Sequence, residues 1–180
     1  MRLPMKSGRF YAPTLVTVSD ASFTDADYLF ALPIYVPNTI DVASLSIVLS
    51  TGEANAEARV GVYSDSNGYP DALQFEADAP VDCSGSGVQT AAASGQLTQG
   101  WHWLACVVTG NIKLQSSVQS EATLEQTGAD TPGNAILQIS ANAGIAAQFT
   151  YASLPATFPE GGLAAAIVGT PCPVIAMEVA

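Results

Sequence analysis

Apolar positions along this chain come in short runs rich in Val, Ile, Tyr, Phe and Thr, each closed by Gly, Pro, Asn, Asp or Ser. No long stretch repeats apolar residues at the i, i+3, i+4, i+7 spacing of an amphipathic helix. The pattern therefore predicts strands. They are placed at Thr14–Val18, Tyr28–Val36, Val42–Leu49, Ala58–Tyr63, Leu73–Ala77, Val88–Ala92 and Trp101–Val108, then at Ile112–Leu114, Ala135–Ile139, Ala146–Tyr151 and Val174–Val179. Ser22–Asp27 and Ser116–Glu125 are expected to hold a helical turn at most. Pro33 lacks a ladder donor, which predicts an edge position or a bulge there.

Two runs show their faces directly. In ARVGVY, alternation sends Arg59, Gly61 and Tyr63 to one side and Ala58, Val60 and Val62 to the other. In GWHWLACVV, Trp101, Trp103, Ala105 and Val107 share one face, and His102, Leu104, Cys106 and Val108 share the other. Both faces are apolar, so this strand is expected inside a sandwich or with one face covered by a neighbouring subunit. Ser84–Gln96, biased to small residues, reads as a weak outer strand with its turns. Eleven prolines and fifteen glycines punctuate the whole chain. About eight to ten short strands at regular spacing predict an all-β, antiparallel β-sandwich, jelly-roll-like, as a single domain over 14–180 with an N-terminal arm over 1–13.

SDSNGYPD raises the question of a calcium loop. An EF-hand needs ligands at alternate positions, glycine at the sixth and Glu at the twelfth. Counted from Asp65, Asn67 is third and Glu76 twelfth, but Gly68 falls fourth and Asp71 seventh. Asn67-Gly68 after a β-branched strand is a hairpin signal, and Pro70-Asp71 suits a second turn. A plain turn is the reading taken, with no metal site and no cofactor.

Trp101 and Trp103 are read as core or subunit contact, with a sugar-stacking platform as the competing use. His102, the single histidine, is read as a packing residue. Any Ser-His-Asp or Cys-His arrangement would have to use it, and no GxSxG, GxGxxG or GxxxxGK[ST] sequence is present. A pair of carboxylates of glycosidase type has no distinguishing spacing. No catalytic residue is assigned.

Charge narrows the partners. Sixteen acidic residues face five basic ones, for a net charge of −11, and only 12% of the chain is charged. Arg2, Lys6 and Arg9 lie in the first nine positions, leaving Arg59 and Lys113 for the rest. Nucleic-acid binding by the body is disfavoured, since phosphate contacts need clustered Lys and Arg. So few charges on a chain with 48% hydrophobic residues suggest a surface covered by copies of itself or by a partner. Cys83, Cys106 and Cys172 have no zinc spacing and cannot all pair, which predicts buried free thiols and assembly in a reducing cytoplasm. Met1–Pro13 has no apolar leader core, and prolines break the apolar C-terminal run, so no membrane span is expected.

The order LFALPIYVPNT, ARVGVYSDSNGYPDAL, GWHWLACVV, YASLPATFP and VIAMEVA resembles small bacteriophage virion proteins and tail-fibre terminal domains. These carry a strand, a Tyr, an Asn-Gly-x-Pro turn and then a G-W-x-W-L-A strand. The resemblance runs from about Gly8 to Val179. It departs at Asp71, where that group more often has a small residue, and at His102, where it more often has an aromatic. It implies a jelly-roll-like sandwich acting as a homo-oligomer, commonly a trimer, on a virion made in the host cytoplasm. The expected function is a non-enzymatic capsid decoration, or cement, protein bound to the phage major capsid protein, with Arg2, Lys6 and Arg9 as its capsid contact. The alternative is a tail-fibre or tail-tip receptor-binding module for host carbohydrate, and a carbohydrate-binding domain without a virus stands third.

Overall fold

The computed structural model describes residues 3–13, 17–23, 28–118, 144–159 and 172–180. They form thirteen strands and, among the described residues, no helix. In chain order these are β1 (Phe10–Tyr11), β2 (Thr17–Phe23), β3 (Tyr28–Val36), β4 (Ile40–Thr51), β5 (Glu57–Ser66), β6 (Tyr69–Glu76), β7 (Val81–Asp82), β8 (Gly87–Leu97), β9 (Gly100–Val108), β10 (Ile112–Val118), β11 (Ile145–Gln148), β12 (Cys172–Pro173) and β13 (Ala176–Val179). The excess over the expected count comes from two-residue pieces, β1, β7 and β12, too short to leave a pattern in sequence.

The strands build two antiparallel sheets. One has the order β11-β3-β9-β5-β6, with β7 also on β5. In the other, β4 pairs β8 on one flank and β13 and β10 on the opposite flank; β1 extends β13, while β2 and β12 pair β10. From β3 to β4, β4 to β5, β7 to β8, β8 to β9 and β9 to β10 the chain changes sheet each time. These crossings make the fold an antiparallel β-sandwich with jelly-roll-like connections.

The main core lies between the sheets. Ala58, Val60 and Val62 enter it from β5, Leu104, Cys106 and Val108 from β9, and Leu45, Ile47 and Leu49 from β4. All are essentially solvent-free, and each fully buried Val, Leu or Ile contributes about 1.5–3 kcal/mol. Alternation had sorted the β5 and β9 residues correctly.

A second cluster sits on the other face of the same sheet. Trp103, Ala105 and Val107 of β9 and Tyr63 of β5 pack there with Ile145 and Ala147 of the neighbouring edge strand β11, and with Leu154 and Phe158 beyond it. Among the described residues, the layer over this face is the chain's own 149–158 segment. It is tied to β6 by Leu73 N–H to Ala156 O (2.9 Å) and Phe158 N–H to Asp71 O (2.7 Å). Gly61 makes room for this strap: a Cβ there would sit 2.5 Å from Leu154 Cδ1 and 2.8 Å from Phe75 O.

Four local expectations change. β3 is not an edge strand, being flanked by β11 and β9. However, β11 ends opposite Ala31, so Pro33 lies beyond that pairing, where a missing donor costs little. Pro70 and Asp71 belong to β6 rather than to a second turn. Asp65 faces Pro70 and Tyr63 faces Leu73, so Asp71 and Ala72 together oppose Ser64 as a bulge, which absorbs the proline. Ser22 and Phe23 are strand residues of β2, and Ser116 to Val118 belong to β10, not to helical turns. The strand expected at Ala135–Ile139, and residues 14–16 of the first expected strand, lie outside the described residues.

Candidate functional site

The SDSNGYPD motif forms a two-residue hairpin. Ser66 pairs with Tyr69, and Asn67 (φ 54°) and Gly68 (φ 83°) both take the left-handed region that a type I′ turn requires. Asp65 Oδ2 accepts the Gly68 N–H at 3.2 Å, and Oδ1 accepts the Trp103 indole N–H at 2.8 Å. Both carboxylate oxygens thus serve the fold.

Trp103 is fully buried. Trp101 is half-buried, with its ring edge-on to Tyr35 at 5.3 Å between centroids. The alternating tryptophans are therefore unlike: one is core, the other part of an aromatic pair reaching the surface. His102 is buried, and one ring nitrogen, Nε2, lies 2.9 Å from the Thr98 carbonyl. All three cysteines are buried free thiols. Burial pushes Cys83 up to about 12 and raises Cys106 and Cys172 as well.

The residues read as an arm lie against the body. Met5 N–H donates to Asn38 Oδ1 (2.9 Å), Lys6 N–H to the Tyr11 hydroxyl (2.8 Å) and Gly8 N–H to Val179 O (2.8 Å). β1 then adds to β13. Lys6 and Arg9 are exposed, whereas Arg2 lies outside the described residues. Arg59 is spent internally. Its Nη1 meets Glu76 Oε1 at 2.6 Å, which raises its pKa, and its guanidinium lies 5.8 Å from the Tyr151 ring centre. Glu76 Oε2 accepts the Leu154 N–H at 3.1 Å, and Tyr151 donates to Glu57 Oε2 at 3.1 Å. This network fastens the strap. Burial first, then Glu57, pushes the Tyr151 hydroxyl up to about 12.

The outer face of the other sheet is different in kind. An open groove of about 500 Å³ crosses it, with Phe10, Val48, Val88, Val174 and Ala176 as its apolar lining. Phe10 is 58% exposed and Val88 67% exposed, and with Val48 they are three of the five large exposed hydrophobic residues among those described. The groove's hydroxyls are paired with each other, Ser46 Oγ lying 2.8 Å from Thr90 Oγ1. Beside the groove runs β8, which among the described residues pairs only with β4. Its outward side chains, Val88, Thr90, Ala92, Ser94 and Gln96, are exposed and uncharged.

The pattern along the chain pointed to neither feature. Phe10, Val48 and Val88 sit on three different strands, and each alone looks like an isolated exposed residue. Only the small-residue bias of Ser84–Gln96, read as a weak outer strand, hinted at β8.

No protein-family model matches the chain, and no curated protein sequence matches it significantly.

Proposed function

We propose that this is a non-enzymatic bacteriophage virion structural protein that decorates the head as a homo-oligomer and stabilises it by binding the major capsid protein. The observation that carries this reading is the apolar groove with its neutral strand edge on a chain of net charge −11. Contiguous exposed apolar surface marks an interaction site, and the order of motifs resembling phage virion proteins supplies the setting. A partner that binds only the assembled, folded form stabilises it by mass action, so no chemistry is required. The exposed Lys6 and Arg9, with Arg2 ahead of them, are the proposed capsid contact. The half-buried Trp101 beside Tyr35 favours the second reading, a tail-tip module stacking a host sugar on that pair. Electron cryomicroscopy of purified particles tests both. Many copies spread over the head are expected; a few copies at the tail would establish the receptor-binding role instead.

A further inference from the structure

Among the described residues β8 pairs with β4 on one side and with no strand on the other. The strap covers β6, through Ala156 and Phe158. Among the described residues the far edge of β8, close to β6 and β7 of the other sheet, takes one backbone hydrogen bond: Asp78 N–H donates to the Ala92 carbonyl at 2.9 Å. Backbone groups alternate in direction along an antiparallel strand, so the N–H and C=O of Val88 and Thr90 point the same way as that carbonyl. Among the described residues no backbone group bonds to them. An unpaired edge is a template for another strand, and proteins usually blunt it with charge, proline or a bulge. Gly87–Leu97 contains no charged residue and no proline. Its register shift opposes Val42–Ser44 of β4 and falls between Ala92 and Gly95, beyond the free stretch.

We propose that this edge is where two copies of the chain meet, β8 pairing antiparallel with β8 about a two-fold axis through Gln89. Val88 of each copy then lies opposite Thr90 of the other, and their outward backbone groups satisfy one another. Charge selects this occupant. Two copies of net charge −11 repel across most of their surfaces, yet none of the sixteen acidic residues lies on β8. A neutral edge offers nothing to an acidic or basic strand, and it matches itself without like charges opposed. The pairing also lays two grooves side by side on one continuous outer face and brings Val88, 67% exposed, into the contact. The inference rests on the self-association in the function proposed above and makes it two-fold, where the resemblance implied a trimer.

Sedimentation of the full chain at micromolar concentration should show a dimer. Val88→Glu puts a carboxylate at an exposed position and should weaken association by about ten-fold. Thr90→Pro removes an outward N–H while leaving the β4 ladder intact, and should do the same. In the wild type, hydrogen exchange at the Val88 and Thr90 amides should slow as concentration rises. A monomer, a discrete trimer, a dimer that survives both substitutions, or exchange independent of concentration would overturn the proposal. A monomer that still decorates heads overturns this contact alone. A dimer missing from particles overturns only the virion role.

Discussion

Asp65 joins a turn to a core. Its carboxylate holds Gly68 N–H on one side and the buried Trp103 indole on the other. Asp65→Ala leaves that indole donor unpaired in a closed site and should cost about 1–3 kcal/mol, read from urea denaturation. Calcium should leave the melting temperature of the wild type unchanged, because both oxygens are already used. A rise of several degrees, absent in Asp65→Ala, would restore the calcium reading. Trp103→Ala should cost about 3–5 kcal/mol, as for a large aromatic removed from a core. Trp101→Ala should cost clearly less, since that ring is only half-buried. Equal losses in the same denaturation experiment would mean that the two rings are equally buried. The turn and the two faces of this strand were legible in sequence. The difference between its tryptophans was not, because alternation assigns a face and says nothing about what covers each end of it.

At the scale of elements, the strap is the decisive piece. Tyr63 is solvent-free and donates its hydroxyl to the Pro155 carbonyl at 2.9 Å, with the Phe158 ring edge-on at 5.3 Å. Leu154 and Phe158 are nearly as buried. Phe158→Ala should therefore cost about 3–5 kcal/mol, measured by thermal unfolding with conversion to free energy. It should also raise protease cleavage within 149–158. A loss below 1 kcal/mol would show that the strap is not needed to seal this face. Gly61→Ala should loosen the same contact, since its Cβ meets both Leu154 and the Phe75 carbonyl.

For the whole molecule, the buried thiols set an alkaline limit. Cys83, ordinarily near 9.0, is pushed up to about 12 by burial. Its folded-state value is raised, so the stabilisation from the neutral thiol is complete below about pH 9. It is then lost as pH rises toward 12, because the unfolded chain releases the proton first. Each such group removes about 1.4 kcal/mol per pH unit within that window. Cys106 and Cys172 are shifted the same way. Stability measured by denaturant should be flat from neutral pH to about 9 and then fall steeply. A Cys83→Ala variant that kept the same slope would assign the loss elsewhere. All three thiols should resist a water-soluble thiol reagent until the protein unfolds. On particles, removing the charges of Lys6 and Arg9 should weaken attachment as raised salt does, if the basic start meets an acidic capsid surface.

By itself the sequence determined where most of the longer strands run, which faces of β5 and β9 are apolar, and that Asn67-Gly68 turns the chain. These are local properties, written in a period of two and in residues that tolerate positive φ. Tertiary structure alone decided what covers the Trp103 face, that Phe10, Val48 and Val88 converge on one groove, and that β8 keeps an open edge. Each of these depends on which strand lies beside which. Strand order is set by pairings between residues far apart in the chain, and the alternation within any one strand carries no mark of its neighbour.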